Sequence, residues 1–119
     1  MPIHDRVLIL DEETLLALDI ESVLADHGPV EVTHYRSLSE AAPHLGDLSG
    51  FGLALIEARL GAREIVAFTE RLMAAGIPTV VMSADRKSME LFPHAAALEK
   101  PFDAASLLAA CRAAKSRLS

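Results

Sequence analysis

Tryptophan is absent from this 119-residue chain, and aromatic residues make up only 4% of it. Its core must be aliphatic, and with 51% apolar residues the chain has enough material for one. There is a single cysteine, Cys111, so no internal disulfide can form, which suits a reducing, cytoplasmic setting. Basic residues are outnumbered, with 11 Lys and Arg against 17 Asp and Glu and a formal net charge of -6. Phosphate backbones are bound through clustered Lys and Arg, so nucleic acid is not an expected partner. An acidic surface also disfavours anionic membranes. No apolar stretch approaches the roughly 20 residues a membrane helix needs. The opening Met1-Pro2-Ile3-His4-Asp5-Arg6 does not read as a signal peptide. Gly46, Gly50, Gly52 and Gly61 form no phosphate-cradling motif. His4, His27, His34, His44 and His94 are scattered without metal-ligand spacing. The length fits one domain over 1–119, with no linker, repeat or low-complexity segment.

What the chain does have is alternation. Val7-Leu8-Ile9-Leu10, Leu53-Ala54-Leu55-Ile56 and Thr79-Val80-Val81-Met82 are short, continuous apolar runs, as expected of parallel strands buried on both faces. Val30 to Tyr35 alternates instead, which suggests an edge strand. Ala95-Ala96-Ala97-Leu98 is a weak fifth candidate and by itself reads equally as helix. Helical stripes lie between the runs. The first is Leu16, Ile20, Val23, Leu24 and His27, ended by Gly28-Pro29. A shorter one, Leu38, Ala41, Ala42 and Leu45, has Ser37 as its N-cap and Gly46 beyond its end. The third is Ile65, Phe68, Leu72 and Gly76, stopped before Pro78. Residues 86–91 hold only a short helix, because Pro93 follows. The last stripe is Ala104, Leu107, Leu108, Cys111, Ala114 and Leu118, capped by Asp103; Cys111 reads as a small buried hydrophobe. The expected fold is α/β: a flavodoxin-like three-layer sandwich with a parallel five-stranded sheet of order 2-1-3-4-5 and a shortened fourth helix.

In such sheets function sits beyond the carboxyl ends of the strands. The first strand ends in Asp11-Glu12-Glu13, the third in Glu57, the fourth in Ser83-Ala84 and the fifth in Glu99-Lys100-Pro101-Phe102. The topology gathers carboxylates, a hydroxyl and an ammonium into one shallow pocket. Clustered acidic oxygens suit a hard cation such as Mg²⁺, and a hydroxyl with a lysine suits the oxygens of a phosphoryl group. Ser83 also reads as an ordinary turn cap, and Lys100 as a structural partner of Glu57.

An acidic pair, a carboxylate, Ser followed by a small residue, and Lys-Pro-Phe, in this order at four strand ends, resemble the response-regulator receiver domain. The likeness covers about residues 5 to 118. Ala17-Leu18-Asp19-Ile20-Glu21 and the run from Leu53 to Gly61 are similar to stand-alone receivers of alphaproteobacteria. The resemblance implies that Asp11 and Glu12 form the acidic pair and that Glu57 stands at the phosphoacceptor position. It makes Ser83 and Lys100 the contacts to the phosphoryl group, with Mg²⁺, where bound, held by Asp11, Glu12 and Glu57. It implies a cis Lys100-Pro101 bond. The implied partners are proteins of two-component signalling: a histidine kinase, a phosphotransfer protein or an output protein. The chain is then a signalling module, monomer or homodimer, and not an enzyme.

Two positions depart from the family pattern. Glu57 replaces the acceptor aspartate and carries its carboxylate about 1.5 Å further; a misplacement near 1 Å can cost on the order of 100-fold in a transfer step. Glu12 is likewise one methylene longer than the expected aspartate, which crowds a metal that demands near-octahedral geometry. Ala97 stands where receivers carry an aromatic rotamer switch. The expectation is a pseudo-receiver, an interaction module outside the ordinary phosphorylation cycle and needing no cofactor. The alternative is a working phosphoacceptor using Mg²⁺. Glu57 reaching toward Ser83 and Lys100 would mimic the phosphorylated state. The expected docking face includes Lys87, Met89, Leu91 and Phe92.

Overall fold

The computed structural model describes residues 5–59 and 62–117. The features expected at Met1 to His4, Leu60, Gly61 and Leu118 lie outside the described residues. Five strands, β1 (Asp5–Leu10), β2 (Val30–Tyr35), β3 (Leu53–Glu57), β4 (Thr79–Ser83) and β5 (Ala96–Glu99), alternate with five helices. The helices are α1 (Thr14–Ala25), α2 (Leu38–Ala41), α3 (Ala62–Ala74), α4 (Arg86–Met89) and α5 (Ala104–Arg117). A 3-10 turn, Ala42–His44, extends α2. The strands form one parallel sheet in the order β2-β1-β3-β4-β5. This is the flavodoxin-like arrangement expected from the alternation of apolar runs and stripes.

Burial explains the strand sequences. Every residue of β3 and of β4 is buried, because both strands are central and covered on both faces. At the edge, β5 alternates buried and exposed positions, so the ambiguous alanine run resolves as a strand. The sheet separates two apolar clusters. One joins β-strand side chains to Ala17, Ile20 and Leu24 of α1 and to Leu107, Ala110, Cys111 and Ala114 of α5. The other packs Ala41 of α2, Ile65, Phe68 and Leu72 of α3, and Phe92 and Ala95 after α4 against the opposite face.

The helix ends follow local chemistry. The Ser37 hydroxyl accepts from the Glu40 amide, and Asp103 Oδ1 accepts from the Ser106 amide at 2.8 Å. Asp85 caps the four-residue α4 through the Lys87 amide. At the end of α3 the Ile77 amide reaches back to the Leu72 carbonyl. That motif needs a left-handed residue, supplied by Gly76 at a φ of 79°. Some stripe positions lie outside the core. His27, Ala42, Gly76 and Ala104 are exposed, since each falls at a helix terminus where the chain already turns from the sheet. The Lys100-Pro101 peptide is cis.

Candidate functional site

The register of the sheet brings the carboxyl-end residues together. Leu10 pairs with Ile56, so Asp11 and Glu57 leave adjacent strands side by side. Ser83 pairs with Glu99, and the Lys100 amide donates to the Ser83 carbonyl at 2.8 Å. This places the Lys100 side chain over the same strand ends. Asp11 is fully buried, Glu57 is 2% exposed and Ser83 is buried with them.

Lys100 is the centre of the cluster. Its Nζ donates to Asp11 Oδ2 at 2.7 Å, to Glu57 Oε2 at 3.2 Å and to Glu13 Oε1 at 3.2 Å. The other oxygen of Asp11 accepts the Glu13 amide at 2.8 Å. Oε1 of Glu57 meets Arg59 Nε at 2.9 Å. The same guanidinium reaches Glu12 Oε1 through its NH2 group at 3.1 Å. Both oxygens of each buried carboxylate are therefore occupied.

Burial pushes the Glu57 carboxyl above its ordinary value of 4.5, and the hydrogen bond and charge of Asp11 add to the rise, while Lys100 opposes them. For Lys100, burial alone acts downward, but Asp11 and Glu57 outweigh it and hold the ammonium above its ordinary 10.5.

The structure brings Asp11, Glu57, Ser83 and Lys100 together as the sequence reading expected. It does not bring Glu12. Asp11 turns the chain through its bond to the Glu13 amide, so Glu13 folds back over the strand end while Glu12 extends outward to Arg59. The three carboxylates whose oxygens converge, all within 4.8 Å of one another, are Asp11, Glu13 and Glu57. The sequence reading included Arg59 in a matching run but gave it no role in the site; its position two residues beyond Glu57 was the available signal. The Ser83 hydroxyl accepts the Asp85 amide at 2.9 Å and acts as a turn cap. Ala97 is exposed on the edge strand.

A receiver's Mg²⁺ would need these carboxylates as ligands. Here the point on which Asp11, Glu13 and Glu57 converge is taken by the Lys100 ammonium. A metal bound at about 2.0–2.1 Å in octahedral geometry cannot share that point with an ammonium. With Lys100 in this position the three carboxylates are matched from within, and Mg²⁺ could use them only by displacing the ammonium.

No protein-family model and no curated protein matches the sequence. Solved structures do. A response regulator receiver protein from Sinorhizobium medicae is 26% identical, with 98% of each chain covered and a TM-score of 0.76. The chain has the fold of a receiver domain. A response regulator from Thermotoga maritima is 20% identical, covering 96% of this chain and 99% of its own, also with a TM-score of 0.76. A sensor protein from Polaromonas shares the fold with a TM-score of 0.78 at 18% identity, covering 98% of this chain and all of its own. Among the described residues of this receiver-type domain, no helix is long and apolar enough to cross a membrane.

Proposed function

We propose that this receiver-type domain is a pseudo-receiver: a protein-interaction module of bacterial two-component signalling that stands outside the ordinary phosphorylation cycle. The observation that carries this reading is the capture of Glu57. One carboxylate oxygen is held by Arg59 and the other by Lys100, on a side chain that is 2% exposed. An acceptor must present a free oxygen in line with an incoming phosphorus atom, and positioning is the main resource in phosphoryl transfer. Here attack would require an ion pair to open first. Ala97 has no rotamer with which to pass a signal onward.

Incubation of the full chain with acetyl phosphate and Mg²⁺, followed by intact-mass measurement, tests the proposal. The expected result is no stable gain of a phosphoryl group. A gain mapped to Glu57 would establish the working phosphoacceptor instead. Glu57→Asp is the companion variant, because the shorter side chain withdraws from Arg59; regained phosphorylation would show that one methylene is what closes the site.

A further inference from the structure

Lys100 and Arg59 satisfy the acidic hollow completely, yet one buried group elsewhere is left wanting. Among the described residues, the buried side-chain polar atom without a hydrogen-bond partner is Thr69 Oγ1, on a residue only 2% exposed. A buried hydroxyl without a partner is uncommon and carries a desolvation penalty. Thr69 lines a trough between α3 and the segment that follows the short α4. Its lining includes Val66, Glu70, Met73, Leu91, Phe92 and His94, and its volume is about 550 Å³. A second hollow of about 380 Å³ continues it toward the start of α3, sharing Val66, Glu70 and Leu91 and ending at Arg63. The trough exists because α4 has only four residues, so little helical cover lies over this part of the sheet.

We infer that this trough is a docking site for one amphipathic helix of a partner protein, seated on Leu91 and Val66, with a Lys or Arg facing Glu70. The inference deepens the interaction-module reading and rests on it. Three observations choose this occupant. Arg63, Val66, Ala67, Glu70 and Met73 form one stripe of α3, about 15 Å long at 1.5 Å per residue, which matches three turns of a guest helix. Leu91 is 50% exposed on the opposite wall, an apolar anchor facing solvent. The charges along the trough, Arg63 at one end and Glu70 in its middle, call for a guest of the opposite pattern, and the net charge of -6 draws basic partners. A second copy of this chain would bring the same net acidic charge. A trough open along its length does not enclose a small molecule as ligand pockets do.

The test uses the isotope-labelled full chain and three synthetic 16-residue helices. One carries leucines at i, i+4 and i+7 with a lysine set to face Glu70; the second replaces that lysine with glutamate; the third replaces the leucines with alanine. The lysine peptide is expected to shift the amides of Val66, Thr69, Met73, Leu91 and Ala95, with the glutamate peptide at least ten-fold weaker and the alanine peptide silent. Leu91→Glu should abolish binding. Leu15→Glu, on the exposed face of α1, should leave it unchanged. Shifts confined to α1 or to the acidic hollow, no shift with any peptide, or a self-association that Leu91→Glu dissolves would each overturn the inference. None of these outcomes bears on whether Glu57 is phosphorylated, so the two readings fail separately.

Discussion

The acidic hollow at the strand ends and the trough beside α3 treat buried polar groups in opposite ways. In the hollow, two buried carboxylates have all four oxygens paired, to Lys100, Arg59 and the Glu13 amide. In the trough, a single hydroxyl is buried with no partner. A pocket whose charges are already matched from within has little electrostatic need of a ligand. A trough with exposed apolar surface has a reason to take one. The region that the fold makes conspicuous is thus internally closed, and the region that the shortened helix opens is the one with unspent binding capacity.

Truncating the centre of the hollow is the most severe way to break this contrast. Lys100→Met leaves Asp11 and Glu57 facing each other without their shared ammonium, and the expected loss is about 3–5 kcal/mol, read from urea denaturation at neutral pH. A loss within experimental error would show that the network is not what holds the strand ends together. The equivalent change in the trough should have the opposite sign. Thr69→Val removes an unsatisfied hydroxyl while keeping its shape, and should stabilise the fold by about 1 kcal/mol in the same assay.

A pH series sharpens the comparison further. The folded-state pKa of Glu57 is raised, so above the ordinary 4.5 the native state holds a proton that the unfolded chain has released. Its contribution to stability is then full below 4.5 and is lost as pH rises through the raised value. Glu57→Gln should flatten the stability profile across that window. Lys100 is also raised, so its contribution is full below 10.5 and is lost as pH climbs through its raised value. Thr69→Val should leave both slopes untouched. The smallest effect is expected of Leu91→Glu, within about 0.5 kcal/mol, because half of that side chain already meets water; a larger loss would make Leu91 a structural residue and weaken its role as an anchor.

Much of this protein was legible in its sequence because the relevant signals are local or periodic. Unbroken apolar runs at 53–56 and 79–82 read as central strands, and the caps at Ser37 and Asp103 act within three residues of themselves. The identity of the residues at the strand ends, Asp11, Glu57, Ser83 and Lys100, also follows from the run boundaries and the strand order. Tertiary structure alone decided which neighbour joins them. Glu12 and Glu13 are indistinguishable by composition and adjacent in sequence, and a single turn at Asp11 sends one to Arg59 and the other to Lys100. It alone left Thr69 without a partner too, since a hydroxyl on a helix is satisfied or orphaned by what packs over it. Strand and helix placement depends on periodicity that a chain carries within itself; the pairing of charges and the opening of a trough depend on residues tens of positions apart meeting at a few ångströms, and only the packed fold sets those distances.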